Sequence, residues 1–318
     1  MGAPEAGALT EAFERERRGL LAHAYRMLGA YHEAEDVVQD TYVRALRGWA
    51  GFERRSSVRT WLYRIATNVS LSAIEGRGRR ALSLGLGPDG TDPEGLGPWL
   101  EPFPTDPADL VTARESVRLA FVAGLQHLAP RQRAVLLLRE VLDLSAAETG
   151  EALGMSVPAV KSALQRARAR LAEAAPARDD VLDASSPRAR ELLAGYMAAW
   201  EASDAAAFRE VLRADAAIEP VGSRTSYAGR VACLAFATPS MGAAGDWRMA
   251  ATEANGQPAA LAWFRGEPFG VAVLTVAEEG IVAITLFGDP KLAEAFEPGL
   301  TRGRPAGGSG PVWLPTTR

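Results

Sequence analysis

The chain has 318 residues, 47% hydrophobic and 23% charged, the composition of a globular protein with room for two or three domains. No run approaches the 18 consecutive apolar residues of a membrane-spanning helix. The single Cys233 excludes an internal disulfide framework, and three histidines (His23, His32, His127) are too scattered to form a metal centre. The formal net charge of −4 conceals a segregation. Residues 1–80 carry 13 basic and 10 acidic side chains, residues 81–112 none and 6, residues 113–178 10 and 6, and residues 179–297 9 and 17. Two net-basic modules therefore flank an acidic connector, and an acidic module follows. A basic footprint suits a polyanionic partner, because each neutralised phosphate releases counterions. The opening residues hold scattered acids and no apolar core of signal-peptide length, so the expected location is cytoplasmic, with no membrane partner.

The first module, residues 10–80, reads as all-helical. Leu20, Leu21, Tyr25 and Leu28 are spaced as on one helix, and Ala34, Val37, Val38, Thr41, Tyr42, Ala45, Leu46 and Trp49 repeat in threes and fours. A third helix is predicted over about 57–75. Val58, Trp61, Leu62, Ile65, Ala66 and Val69 lie on one side and Arg59, Arg64 and Asn68 on the other, and the run Gly76-Arg77-Gly78-Arg79-Arg80 ends it. Residues 81–112, rich in Gly, Pro and Asp, read as a flexible linker.

Helices resume near 110 and run to 176. Val117, Ala120, Phe121, Gly124, Leu125 and Leu128 form one stripe. Pro130 opens the next helix, with Ala134, Leu137, Leu138, Val141 and Leu142 as its core face. Residues 144–171 are the most informative. Ser145 and Glu148 make a capping box, Gly154 supplies a left-handed helix stop, and Ser156 with Pro158 starts a second helix. Val160, Leu164, Ala167 and Leu171 bury one side of it, leaving Lys161, Ser162, Gln165, Arg166 and Arg168 outward. Two helices joined by a glycine turn, the second basic on its outer face, make a helix-turn-helix.

From 188 to 297 the pattern becomes α+β. Helices are predicted at 189–202, 204–213 and near 230–237. Strands are predicted at Ala216–Val221, Trp247–Glu253, Ala259–Phe264, Phe269–Val276 and Ile281–Phe287, with turn signals at Asn255-Gly256 and Glu279-Gly280. The expectation is a curved antiparallel sheet covered by helices. Residues 298–318 read as a partly disordered tail.

Three segments in this order carry a family resemblance. Glu35-Asp36-Val37-Val38-Gln39-Asp40-Thr41-Tyr42-Val43-Arg44-Ala45 resembles the polymerase-clamp-binding helix of extracytoplasmic-function (ECF) sigma factors. Arg59-Thr60-Trp61-Leu62-Tyr63-Arg64-Ile65-Ala66-Thr67-Asn68 resembles their promoter-melting helix, and Val157-Pro158-Ala159-Val160-Lys161-Ser162 their −35-reading segment. The module after 188 resembles the SnoaL-like cone fold by its element order. The resemblance implies two all-α sigma domains, the second with the helix-turn-helix, followed by an α+β SnoaL-like domain, in a transcription factor that is not an enzyme and carries no cofactor or metal. Its implied partners are core RNA polymerase and promoter DNA, duplex and melted. The chain departs from the family pattern at Ser72, Ile74 and Glu75, where a dense basic run is usual, at Ala163, where a base is common, and at Gly150, where alanine is usual.

The implied polymerase contacts are Glu35, Asp36, Gln39 and Asp40. The implied melting residues are Arg54, Arg55, Arg59, Trp61, Arg64, Asn68, Arg77, Arg79 and Arg80, since unpaired bases need aromatic surfaces and displaced phosphates need cations. The loop 52–57 is placed to hold a flipped base. Trp61 also lies in the apolar stripe, where core packing competes with base stacking. Ser156, Val157, Pro158, Ala159, Lys161 and Ser162 are implied to enter the major groove, with Gln165, Arg166 and Arg168 nearer the backbone. In the last module, Glu219, Asp246, Arg248 and Asp289 are the polar candidates, and residues 179–297 contain no histidine. A ligand-binding or protein-contact role is therefore expected over catalysis. Trp99, Leu100 and Phe103 form an apolar patch in an otherwise polar linker, expected to dock on the SnoaL-like module. A rival reading is a polymerase-independent, ligand-responsive helix-turn-helix regulator. The acidic helix at 33–48 argues against it, because a simple repressor has no use for one.

Overall fold

The computed structural model describes residues 3–54, 56–83, 100–104, 118–174, 181–221 and 226–296. These divide into two compact units: 3–54, 56–83, 100–101 and 119–174 in the first, and 102–104, 118, 181–221 and 226–296 in the second.

The first unit holds both helical modules. Helices α1 (Ala3–Leu28), α2 (Tyr31–Gly48) and α3 (Val58–Ser83) pack on one another, and the stripes read from the sequence are the packed faces. Leu20, Val38, Ala45, Trp61, Leu62 and Ala66 share one buried cluster. Helix α3 runs to Ser83 rather than stopping near 75, so the glycines at 76 and 78 are carried inside it and the arginine run is helical. Ser57 starts α3 by accepting the Thr60 N–H at 3.0 Å. The second module comprises α4 (Leu119–Gln126), α5 (Pro130–Leu136) with a π-turn at Leu137–Val141, α6 (Ala146–Leu153) and α7 (Val157–Ala174). The capping box of Ser145 and Glu148 forms with both of its hydrogen bonds, and Gly154 takes φ 63° at the end of α6. Side-chain and backbone hydrogen bonding from Ser145 holds the Glu148 carboxyl below the usual carboxylate range.

The second unit begins with α8 (Pro187–Glu201) and α9 (Ala205–Val211). Strands β1 (Leu212–Pro220), β2 (Tyr227–Ala228), β3 (Trp247–Ala254), β4 (Gln257–Phe264), β5 (Glu267–Ala277) and β6 (Gly280–Phe287) form one sheet in the order β2-β1-β6-β5-β4-β3. Helix α10 (Arg230–Ala237) falls between β2 and β3, and α11 (Pro290–Phe296) follows β6. The sheet is mixed, not purely antiparallel, because β1 runs parallel to β6. Strand β1 also starts at Leu212, earlier than its sequence pattern suggests, and shortens the helix before it. Asn255 and Gly256 turn β3 into β4 with φ of 57° and 67°, both positive as a two-residue type I′ hairpin requires. Tyr196, Trp200, Phe208, Ile218, Trp247 and Leu274 are among the side chains of the core between sheet and helices.

Candidate nucleic-acid and polymerase interfaces

On α2 the buried side is Ala34, Val37, Val38, Thr41 and Ala45, which turns Asp36 and Gln39 outward. Glu35 is half-buried and accepts from the Tyr31 hydroxyl at 3.1 Å. Burial and that carboxylate push the Tyr31 phenol up to about 12. Asp40 pairs with Arg44 at 2.9 Å, one turn away. Val43 is 40% exposed on the same side. This apolar residue belongs to the outward face but has no charge to mark it in the sequence.

Beyond α2, Trp49, Phe52 and Trp61 form an aromatic trio, with ring centroids 4.8 to 5.8 Å apart. Trp61 is 7% exposed, so the indole is chiefly a core residue that fastens the loop before α3. One edge lines a polar pocket of about 110 Å³ whose walls include Phe52, Glu53, Ser56 and Arg64. Arg54 in this loop holds φ 54°, an uncommon value for a residue with a side chain. Tyr63 is turned inward, 3% exposed and edge-on to His23 at 5.5 Å. Burial raises its pKa. Arg59 covers the Tyr63 ring at 5.6 Å and lies 3.5 Å from Glu16. Arg64 and Asn68 follow on the same face of α3, one turn apart. Arg55 lies outside the described residues, as do the side chains of Arg77, Arg79 and Arg80.

In the helix-turn-helix, Val160, Ala163, Leu164 and Ala167 are buried. Ser156, Val157, Pro158, Lys161, Ser162, Gln165, Arg166 and Arg168 are exposed, and Ala159 is half-buried. Ala163 is 4% exposed, which accounts for a small apolar residue where a base is common. Arg166 bonds Ser162 Oγ at 2.5 Å, and Arg168 pairs with Glu140 at 2.6 Å. Ser162 holds Arg166 along the helix, and Glu140 ties Arg168 to the π-turn at Leu137–Val141.

The described linker residues are held in two ways. Within the first unit, the Glu101 backbone N–H donates to Gly29 O at 2.8 Å, and its carbonyl accepts from the Tyr25 hydroxyl at 2.7 Å. Its carboxylate takes the His32 backbone N–H at 3.1 Å and lies 3.0 Å from the imidazole. Within the second unit, the Phe103 N–H donates to Asn255 Oδ1, and the Asn255 N–H donates to Phe103 O, both at 2.9 Å. Pro104 bridges Ala254 as an antiparallel neighbour. Residues 103–104 thus add to the edge of the sheet at β3. Leu100 is half-buried, and Trp99 lies outside the described residues.

The second unit also has an apolar cleft lined by Tyr196, Trp200, Trp247, Met249, Phe269 and neighbours, with about 20 Å³ of interior. That is room for roughly one water molecule. None of the polar candidates lines it. Asp246 pairs with Arg265 at 3.0 Å, and Arg248 covers the Trp263 ring at 4.2 Å. Among the described residues no group of His, Cys, Asp and Glu could hold a metal ion, and no helix is long and apolar enough to cross a membrane.

The Sigma-70 region 2 family model matches residues 12–80, and the Sigma-70, region 4 model matches residues 118–171. The chain is 46% identical over 308 residues to the ECF RNA polymerase sigma factor SigG of Mycobacterium tuberculosis, across 91% of this chain and 82% of SigG. It is 32% identical over 146 residues to the ECF RNA polymerase sigma factor SigW of Bacillus subtilis, across 45% of this chain and 76% of that one. The crystal structure of the M. tuberculosis ECF sigma factor SigJ shares the fold with a TM-score of 0.63 at 21% identity, over 89% of this chain and 97% of SigJ. The C-terminal unit is a six-stranded mixed sheet with its covering helices, the α+β module expected from the element order. The similarity to SigG spans both helical modules and the α+β module, which removes the reading as a polymerase-independent regulator. The chain belongs to the ECF RNA polymerase sigma factors, which direct RNA polymerase to promoters, and it is not an enzyme.

Proposed function

We propose that this sigma factor is gated by its own SnoaL-like domain, which withholds the linker until core polymerase takes it. The observation that carries the reading is the two-way backbone pairing of Phe103 with Asn255, extended by Pro104 on Ala254. Residues 81–112 carry 6 acids and no base, suited to a positively charged channel that otherwise carries RNA. A linker paired to a sheet edge is not available for that channel. Polymerase binding and sheet-edge pairing therefore compete for one segment.

In the same reading the outward face of α2 (Asp36, Gln39, Asp40 and Val43) meets the polymerase clamp. Arg54, Arg55, Arg59, Arg64, Asn68, Arg77, Arg79 and Arg80 meet the melted strand, with the polar pocket beside Trp61 taking an unpaired base. The start of α7, from Ser156 to Ser162, reads the upstream element in the major groove, and Gln165, Arg166 and Arg168 follow its phosphates. The site of action is the cytoplasm, where polymerase and promoters are.

Asn255→Gly keeps the positive φ of the turn but removes the Oδ1 acceptor. The loss of one hydrogen bond, about 1 kcal/mol, should raise affinity for core polymerase about threefold to fivefold. Promoter-directed transcription at limiting protein should rise with it. Unchanged affinity, with crosslinking of residues 103–104 to the β3 edge weaker than in the parent, would overturn the gating.

A further inference from the structure

Part of the promoter-facing side of α3 is already occupied by the chain itself. Arg64 Nη1 lies 3.4 Å from Glu151 Oε1, and one turn further Asn68 Nδ2 reaches Ala152 O at 3.4 Å. Both acceptors belong to α6, the first helix of the helix-turn-helix, and Glu151 also forms one wall of the polar pocket beside Trp61. A second contact between the same two modules is buried. Arg133, 5% exposed, donates to Met27 O and, at 2.5 Å, to Gln126 Oε1. The Gln126 amide in turn reaches Arg26 O at 3.4 Å. The carbonyls of residues 26 and 27 belong to the last turn of α1, where no intrahelical donor is left to meet them. Gly29, at φ 76°, leaves the space that Gln126 fills, since a Cβ there would come within 3.1 Å of its amide carbon.

We propose that Glu151 is an internal substitute for promoter DNA. Its carboxylate stands where a nucleic-acid phosphate would sit on Arg64 and closes the base pocket until region 4 moves away from region 2. Carboxylate and phosphate are the two oxyanions an arginine fork accepts. The pair is surface-exposed, at 38% and 66%, so it is weak and yields readily once polymerase separates the two regions. Glu16 on Arg59 differs in kind, because it belongs to region 2 and travels with it. Of these two pairs, the Glu151 contact alone depends on where region 4 is. The inference rests on the promoter roles proposed for Arg64 and Asn68 and does not depend on the linker, so failure of the Asn255→Gly test leaves it standing.

The test is fluorescence anisotropy of a labelled, mixed-sequence single-stranded DNA of about 12 nucleotides, titrated at low salt with the full-length chain in the absence of polymerase. Glu151→Gln should tighten binding about threefold to fivefold, the factor expected for freeing Arg64 from one exposed pair. In an Arg64→Ala background the same substitution should give no gain. Glu191→Gln, which removes one negative charge from the SnoaL-like domain, should give none either. Absence of a gain from Glu151→Gln, persistence of the gain without Arg64, or an equal gain from Glu191→Gln would each overturn the proposal.

Discussion

Gly150 sits at the tightest point of the helix-turn-helix. Its carbonyl accepts the Met155 N–H at 2.8 Å, and a Cβ added to it would stand 2.5 Å from Met155 O, a backbone atom that cannot swing aside. The turn of this chain is closed on a glycine, and the alanine usual at this position needs a wider one. Gly150→Ala should destabilise region 4 by about 1–3 kcal/mol through overpacking, seen as a lower melting temperature; an unchanged melt would mean that the turn opens without cost. His23 is the other single residue with a measurable consequence. It is fully buried, with Nε2 2.9 Å from Thr67 Oγ1. Burial first, and Arg26 second, lower its pKa from 6.5 to about 3. The unfolded chain therefore takes up a proton near pH 6.5 that the folded chain refuses until about pH 3. Stability is insensitive to this group above about pH 6.5, falls by up to about 1.4 kcal/mol per pH unit between about pH 6.5 and 3, and levels off below. His23→Gln should flatten the difference in stability between about pH 4.5 and 6.5, followed by denaturant melts. The same slope in parent and variant would assign the acid sensitivity to carboxylates alone.

Elements differ in how plainly the sequence announces them, and the reason is range. The helix-turn-helix is set by residues between Ser145 and Ser156, a capping box, a left-handed glycine and a second cap, so its form is legible down to single hydrogen bonds. The amphipathic stripes of α2 and α3 are legible for the same reason. The end of α3 is not. Gly76 and Gly78 look like a stop, yet the helix continues to Ser83, since a glycine costs only about 1 kcal/mol in a helix interior. Strand β1 pairs in parallel with β6, more than sixty residues on, and no local pattern encodes that partner. The contacts of Arg64 with Glu151 and of Arg133 with the end of α1 join polar residues about 90 to 105 positions apart, where periodicity carries no signal. Val43 falls outside the core stripe in the sequence, but it carries no charge to mark it as a contact residue. The helical continuation of α3 bears on the arginine run, which extends a formed helix instead of trailing from it. Changing Arg77, Arg79 and Arg80 together to Ala should lower the slope of log affinity against log salt for single-stranded DNA by about 0.7 for each phosphate these arginines neutralise. An unchanged slope would show that they do not meet phosphate.

At the scale of the whole molecule, the distribution of charge says more than its sum. Region 2 and region 4 are net basic, the connector 81–112 has 6 acids without a base, and residues 179–297, which hold the α+β module, carry 17 acids against 9 bases. One polymer thus presents cations to DNA and anions to whatever basic surface the linker crosses. The two partners of a sigma factor need opposite signs, and a chain of uniform charge would meet one of them poorly. The linker also carries the two grips seen in its described residues, Glu101 in the first unit and Phe103 in the second, so its acids and its backbone contacts can be tested apart. Converting Asp89, Asp92, Glu94, Asp106 and Asp109 to the corresponding amides leaves Glu101, Phe103 and their hydrogen bonds untouched while removing most of the negative field. Association with core polymerase should then slow about threefold to tenfold at low ionic strength, with the deficit shrinking as salt screens the field. Stopped-flow fluorescence at several salt concentrations reads this directly. If the rate is unaltered at low salt, the linker's charge does not steer binding. If it falls equally at all salt concentrations, the acids act through specific contacts and not through the field.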